Sequence, residues 1–123
     1  MRTVLIVEDS EACAETLQIA LEALPDVKTE VVRSPAAALI RLLRDDAEIS
    51  AVVTDLHMPN SDGFDLIRQL RTEARYARLP IMMISGDSDP RLPQRALETG
   101  ADAFFSKPYS PAAVRRKLEQ LLC

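Results

Sequence analysis

The chain has 123 residues, enough for one packed domain and too few for two. Hydrophobic residues make up 47% of it, which argues against disorder, and no apolar run approaches the roughly 20 residues that cross a bilayer. The net charge of -4 and the pI near 5.0 argue against a general nucleic-acid binder, which needs a basic face for phosphate contacts.

The start of the chain and its cysteines indicate a reducing compartment. No basic segment followed by a long apolar one opens the chain, so we expect no secretory signal. The two cysteines, Cys13 and Cys123, lack the C-x-x-C spacing of zinc and dithiol sites. We therefore expect a cytoplasmic protein with two free thiols and no membrane attachment.

Five short apolar runs alternate with five amphipathic segments along the chain. The apolar runs are continuous rather than alternating, which predicts strands that are covered on both faces. They are residues 3–7, 28–32, 51–54, 79–84 and 103–105. The segments between them place apolar residues at helical spacing and predict helices. These are residues 10–24, 34 to about 45, 63–72, 91–99 and 110–122.

The helix boundaries are marked by capping residues. Residues 34–35 and 110–111, both Ser-Pro, each combine an N-cap serine with a proline in the first turn. Gly100 is suited to end the fourth helix. Pro90 and Pro93 both stand near its beginning, which predicts a short or shifted start. In the second helix we expect an inward-facing set of Ala38, Leu39, Leu42 and Leu43.

The alternating order of strands and helices predicts the architecture. Buried strands that alternate with helices form a parallel sheet with helices on both faces, joined by right-handed crossovers. No linker, repeat or low-complexity segment divides the sequence, so we expect one domain over residues 1–123.

Residues that carry chemistry follow four of the five predicted strands. In an open parallel sheet the functional crevice lies beyond the carboxyl ends of the strands, so we expect these residues to converge there. They are Glu8 and Asp9 after the first strand, Asp55 after the third, Ser85, Gly86 and Asp87 after the fourth, and Ser106 and Lys107 after the fifth.

The expected cluster combines three carboxylates with one ammonium group. Glu8, Asp9 and Asp55 would repel one another unless they are neutralised, and Lys107 alone supplies too little positive charge. A hard cation such as Mg²⁺ resolves this imbalance, and a phosphoryl group can then accept hydrogen bonds from Lys107 and Ser85. This combination favours phosphoryl transfer onto a carboxylate. The plainer interpretation is that the acids are solvated loop charges or helix-start acids.

Four motifs occur in order at the predicted strand ends. They are VEDS at 7–10, TDLHMPNSDGFDL at 54–66, MISG at 83–86 and GADAFFSKP at 100–108. With these motifs, the chain resembles the receiver domain of two-component response regulators over its whole length. The resemblance implies a doubly wound, flavodoxin-like (βα)5 sandwich of three layers, with a parallel sheet of strand order 2-1-3-4-5. It also implies Mg²⁺ as the cofactor.

The resemblance implies a role for each residue of the cluster. Asp55 would accept a phosphoryl group from a histidine of a kinase or of a histidine phosphotransfer protein. Asp9, Asp55 and the backbone carbonyl of His57 would bind Mg²⁺ directly, and Glu8 would act through a coordinating water. Lys107 would pair with the phosphoryl group.

Two further residues are implied to act as a switch. Ser85 would bond a phosphoryl oxygen and shift toward it, and Phe104 would turn into the space that Ser85 vacates. Ser85 replaces a frequent threonine and keeps its hydroxyl, whereas Phe104 replaces a frequent tyrosine and lacks one. The bond between residues 107 and 108, Lys-Pro, is usually cis in this family.

The resemblance implies output through altered binding of an unidentified partner at the face formed by the fourth helix, the fifth strand and the fifth helix. Ala103 stands where one large subfamily carries an acid used in dimerisation, so we expect a monomer or weak dimer. We expect a stand-alone receiver, with a fragment of a larger regulator or hybrid kinase as the alternative. Such a domain catalyses its own phosphorylation and dephosphorylation without being a conventional enzyme.

Three other functions fit parts of the sequence. A flavin carrier shares the fold type but needs a phosphate loop after the first strand, where this chain has the acidic EDSEACAE. An aspartyl phosphatase of the haloacid dehalogenase type needs an acid two residues after its nucleophile, where this chain has His57. A pseudo-receiver lacks phosphoryl chemistry, and the intact Asp9, Asp55 and Lys107 argue against it. His57 itself either tunes hydrolysis of the acyl phosphate or is a solvent-facing spacer.

Overall fold

A computed structural model describes residues 1–44, 48–59 and 61–123. Strands and helices alternate along the chain, and we number them in chain order. The sheet strands are β1 (Arg2–Val7), β2 (Val27–Val32), β3 (Ile49–Asp55), β4 (Ile81–Ser85) and β5 (Ala103–Ser106). The α-helices are α1 (Glu11–Glu22), α2 (Pro35–Leu42), α3 (Gly63–Thr72), α4 (Leu92–Thr99) and α5 (Pro111–Leu122).

The strands β1 to β5 form one parallel sheet in the order β2-β1-β3-β4-β5. The direction of winding reverses between β1 and β3, which is where ligands of such sheets bind. The register aligns the carboxyl ends of the strands, since Val7 of β1 pairs with Val32 of β2 and with Thr54 of β3. This topology confirms the predicted doubly wound, flavodoxin-like fold and its strand order.

α2 and α5 begin where the capping pattern predicts. The hydroxyl oxygens of Ser34 and Ser110 accept hydrogen bonds from backbone amides three residues on, at 3.1 and 3.2 Å. α4 is short, with eight residues, and its N-cap Arg91 provides no side-chain cap. Gly100 ends α4 with a φ of 125°, a conformation that favours glycine. Within the described residues, no helix has the length and apolarity needed to cross a membrane.

The core has two layers, one on each face of the sheet. Side chains alternate along β1, so Leu5 and Val7 pack on one face and Val4 and Ile6 on the other. α2, α3 and α4 cover the first layer, and α1 and α5 cover the second. Each fully buried aliphatic side chain contributes about 1.5–3 kcal/mol, which makes the sheet a rigid support for the residues at its strand ends.

The structure differs from the predictions for α2 and β4. α2 ends at Leu42, and the predicted end near Asp45 lies outside the described residues. The expectation that Leu43 faces inward is wrong, because Leu43 follows the last helical residue and is 59% exposed. β4 begins at Ile81 rather than at residue 79, since Pro80 has no amide hydrogen to donate to a neighbouring strand.

Candidate functional site

Three carboxylates converge at the carboxyl ends of β1 and β3. Glu8 and Asp9 follow β1, and Asp55 is the last residue of β3. One carboxylate oxygen from each of the three lies within 4.8 Å of the other two. The structure therefore brings together the three acids that are predicted from the sequence to meet.

Local hydrogen bonds fix the first of these acids. The amide of Glu8 donates to the carbonyl of Val32 at 3.0 Å, which extends the pairing of β1 and β2 by one residue. The carboxylate of Glu8 accepts from the amide of Ser10 at 3.2 Å, and Ser10 is the N-cap of α1. Glu8 is only 2% exposed, whereas Asp9 faces solvent. Glu8 is thus a buried carboxyl group and Asp9 an accessible one.

Asp55 is held at the end of β3 by its own loop. Its Oδ1 accepts from the amide of Leu56 at 2.8 Å, and the amide of Gly63 donates to the carbonyl of Leu56 at 2.8 Å. A Cβ at position 63 would lie 2.5 Å from the backbone oxygen of Asp55 and 2.9 Å from Cε of Met83. The first turn of α3 packs against the site because residue 63 has no side chain.

Lys107 reaches across the sheet from β5 into the acid cluster. Its Nζ lies 3.0 Å from Oε1 of Glu8 and 3.5 Å from Oδ2 of Asp55. Its amide donates to the carbonyl of Ser85 at 2.8 Å, and its bond to Pro108 is cis, as the resemblance implies. The ammonium group therefore contacts two of the three clustered carboxylates.

Burial and charge shift the pKa values of Glu8 and Lys107. Burial raises the pKa of Glu8 above its ordinary value, and this outweighs the lowering by the hydrogen bond from Lys107. Burial acts to lower the pKa of Lys107, but the hydrogen bond to Glu8 and the charge of Asp55 raise it overall. Lys107 consequently stays charged at neutral pH, as pairing with an anion requires.

The donor atoms of the cluster fit a hard divalent cation. Carboxylate oxygens are the ligands that Mg²⁺ prefers, and it uses few protein ligands. Glu8, Asp9 and Asp55 offer three such oxygens, and Lys107 leaves their combined negative charge only partly balanced. The side chain of His57 takes another direction, since its Nε2 lies 2.9 Å from Oδ2 of Asp87. Only the backbone carbonyl of His57 remains for the role that the resemblance implies.

The two expected switch residues lie on the same face of the sheet. Ser85 ends β4, is fully buried, and accepts a hydrogen bond at its Oγ from the amide of Asp87 at 3.0 Å. Phe104 of β5 pairs with Met83, two residues before Ser85, and packs against the core layer beneath α4. Phe104 is half-buried, whereas Ser85 is fully buried.

Two neighbours of the site were not foreseen as contacts. One is the contact between His57 and Asp87. Both residues follow predicted strands, but they are 30 positions apart and the sequence does not show that they meet. The other is Cys13, whose Sγ lies 3.7 Å from Nζ of Lys107. A cysteine within a helical apolar pattern is an ordinary core residue, so the sequence alone carries no signal of this contact.

A family model described as the response regulator receiver domain matches residues 4–119. Among curated proteins, the chain is similar to the transcriptional regulatory protein GltR of Pseudomonas aeruginosa, with 32% identity over 98% of this chain and 49% of GltR. It is also similar to a chemotaxis protein CheY homolog of Campylobacter jejuni, with 30% identity over 66% of this chain and 62% of that protein. The matches thus span from about half to 62% of the length of these relatives.

The fold is also similar to a solved receiver structure. The signal receiver domain of a signal transduction histidine kinase from Syntrophus aciditrophicus matches with a TM-score of 0.83 and 34% identity. The match covers 99% of this chain and 90% of that chain. The similarity therefore extends over every strand end that contributes to the site.

Proposed function

Because this chain belongs to the response regulator receiver domain family, we propose that it is a phosphorylation-dependent signalling switch with Asp55 as its phosphoacceptor. The observation that carries the proposal is the convergence of Glu8, Asp9 and Asp55 within 4.8 Å, with the ammonium group of Lys107 among them. The phosphodonor is proposed to be a phosphohistidine of a kinase or of a histidine phosphotransfer protein. Such a donor presents a phosphoryl group that a carboxylate can accept.

The proposed reaction is an in-line displacement at phosphorus. A carboxylate oxygen of Asp55 forms the new O–P bond as the N–P bond to the donor histidine breaks, and the leaving imidazole keeps the electron pair. Lys107, with Nζ 3.5 Å from Oδ2 of Asp55, lies where it can neutralise a phosphoryl oxygen. The hydroxyl of Ser85 can donate to a second phosphoryl oxygen, since its Oγ accepts from Asp87 and its hydrogen remains available.

Glu8, Asp9 and Asp55 are the residues proposed to hold Mg²⁺, with the carbonyl of His57 as a further oxygen. Bound there, the ion supplies positive charge beside the phosphoryl oxygens. Three carboxylates would otherwise repel the incoming anion, so the metal and Lys107 act together.

The proposed output is a population shift of the α4-β5-α5 face. A phosphoryl group favours the active arrangement only by the difference in its interactions with the two states. Ser85 and Phe104 are the proposed moving parts, because they lie on one face of adjacent strands beside the site. We propose that an unidentified partner protein reads this change, and that the switch works in the cytoplasm as a monomer or weak dimer.

The test is phosphoryl uptake from acetyl phosphate with Mg²⁺, measured by mass spectrometry of the intact protein. We expect the parent to gain one phosphoryl group and Asp55→Asn to gain none. Asp65→Asn, which changes an exposed acid in the first turn of α3, should gain it like the parent. Equal uptake by the parent and Asp55→Asn would move the acceptor elsewhere. No uptake by the parent would indicate a binding module without phosphoryl chemistry.

A further inference from the structure

One side-chain contact crosses the outer end of the site. Nε2 of His57, in the loop after β3, lies 2.9 Å from Oδ2 of Asp87, in the loop after β4. A carboxylate can only accept a hydrogen bond, so Nε2 is the donor. This contact ties the segment that follows the proposed phosphoacceptor to the segment that precedes α4.

The His57 end of the contact is anchored in the core. His57 and Met58 pair with residues 61–62 in a short antiparallel hairpin. Met58 is only 7% exposed and belongs to the core layer beneath α2, α3 and α4. The amide of Gly63 closes the hairpin by donating to the carbonyl of Leu56 at 2.8 Å. His57 therefore projects from a fixed base.

The Asp87 end is held by a relay of hydrogen bonds instead of by a strand or helix. The amide of Asp87 donates to Oγ of Ser85 at 3.0 Å, and the amide of Asp89 donates to Oδ1 of Asp87 at 2.9 Å. The amide of Arg91 then donates to Oδ1 of Asp89 at 2.9 Å. Each step uses the residue two positions before it, so the relay runs from Ser85 to the start of α4.

The relay replaces the missing helix cap. The first amides of a helix need partners from outside it, and the N-cap Arg91 supplies no side-chain bond to α4. The carboxylate of Asp89 accepts from the amide of Arg91, and its carbonyl accepts from the amide of Leu92, the first residue of α4, at 3.2 Å. The position of Asp89 depends in turn on Asp87 through the preceding hydrogen bond. The placement of the first turn of α4 is thereby linked to the contact between Asp87 and His57.

We propose that the contact between His57 and Asp87 is a latch, which restrains the loop before α4 against the movement that Ser85 makes toward a phosphoryl group. This inference rests on the proposed function, because that movement requires a phosphoryl group on Asp55. A shift of Ser85 pulls on Asp87 through the hydrogen bond between them. Since His57 is anchored, the latch has to lengthen or open, and the relay then releases the first turn of α4.

The strength of the contact suits a latch that opens. The side chains of His57 and Asp87 are 62% and 38% exposed, so solvent competes for both groups. Exposed side-chain contacts to a carboxylate change local equilibria by about two- to fivefold. A contact of that size biases the loop without locking it.

The first test measures hydrogen exchange of the Asp89 and Arg91 amides by NMR, at one fixed pH and without phosphodonor. His57→Ala should speed exchange of both amides by about two- to fivefold. Asp87→Ala should speed it more, because it also removes the acceptor of the Asp89 amide. The double variant should behave like Asp87→Ala alone.

The control for this measurement is Arg68→Ala, which removes a similarly exposed ion pair with Asp65 on α3. It should leave the exchange of both relay amides unchanged. Parent-like exchange in His57→Ala would overturn the latch. So would a double variant in which the two effects multiply as independent factors.

The second test repeats the exchange measurement after acetyl phosphate and Mg²⁺, with uptake checked by mass. Phosphorylation of the parent should speed exchange of the Asp89 and Arg91 amides, and phosphorylation of His57→Ala should add less to its already faster exchange. An equal increase in exchange rate on phosphorylation of the parent and of His57→Ala would overturn the latch. Absence of uptake would instead refute the proposed function, while the result of the first test would stand by itself.

Discussion

Single residues decide how closely the helices approach the site, and the two glycines beside it differ in this respect. Gly63 lies under the backbone of Asp55, with no room for a side chain. From the sequence, Gly86 is the stronger candidate for a close approach of the backbone to the site, because it follows Ser85 directly. Yet a Cβ at position 86 would meet its nearest neighbour, Cδ of Lys107, at an ordinary 3.9 Å. The absence of a side chain matters at position 63.

Substitution of these two glycines should separate their roles. Gly63→Ala should lower the free energy of unfolding by about 1–3 kcal/mol, because the new methyl group overlaps the carbonyl of Asp55. Gly86→Ala should change it by less than about 0.5 kcal/mol. Urea denaturation measures both. Equal losses would mean that the loop before α4 is as tightly packed as the start of α3.

At the scale of elements, one arginine joins α3 to β4 and to the connection between α4 and β5. The guanidinium group of Arg71 donates to the carbonyls of Gly100, Tyr76 and Leu79 at distances between 2.8 and 3.0 Å. The guanidinium group also donates to the carboxylate of Asp102 at 3.2 Å. The same carboxylate accepts a hydrogen bond from the amide of Ile81 in β4. The connection before β4 and the connection between α4 and β5 are thus both fixed to the end of one helix.

Loss of this arginine should be costly. Arg71→Ala should lower the free energy of unfolding by about 2–3 kcal/mol, because several carbonyls lose a charged donor in a partly buried place. Arg68→Ala on the same helix removes only an exposed pair with Asp65 and should cost about 0–1 kcal/mol. Denaturant melts of the two variants give the comparison. A small effect of Arg71→Ala would mean that water replaces the guanidinium group.

Adjacent aromatic residues of β5 should affect the switch differently. Phe104 packs on the α4 side of the sheet and Phe105 on the α1 and α5 side. Phe104→Ala should leave phosphoryl uptake within about twofold of the parent and reduce the change that phosphorylation causes in amide exchange on α4. Phe105→Ala should retain that change. If Phe104→Ala responds like the parent, the aromatic side chain is a bystander here.

At the scale of the whole molecule, an excess of negative charge is concentrated at one edge of the sheet. Three of the carboxylates lie within 4.8 Å of one another, and Lys107 offsets part of their charge. Repulsion among them opposes folding, and a cation that binds only the folded cluster adds stability by mass action.

Mg²⁺ should therefore raise the melting temperature of the parent. At a hundredfold excess over its Kd the ion stabilises by about 2.7 kcal/mol, which corresponds to several degrees for a domain of this size. The double variant Asp9→Asn/Asp55→Asn should respond little, and Asp65→Asn should respond like the parent. Melting curves with Mg²⁺ and with chelator provide the measurement. Equal shifts in the parent and the double variant would contradict the metal site.

The sequence by itself determined the alternation of strands and helices, because hydrophobic periodicity reports which local segments are buried. It also predicted that Glu8, Asp9, Asp55 and Lys107 meet. Parallel strands present all their carboxyl ends at one edge of the sheet, so residues that follow different strands become neighbours without any knowledge of distances.

Only the tertiary structure decided which partner each side chain takes. Lys107 lies nearer to buried Glu8 than to Asp55, His57 turns to Asp87, and the crowded glycine is Gly63. These contacts join residues that are up to 99 positions apart, and they depend on differences of about half an ångström in the packing of separate segments. Periodicity along the chain carries no information on that scale, because it averages over burial and records no direction or distance between side chains.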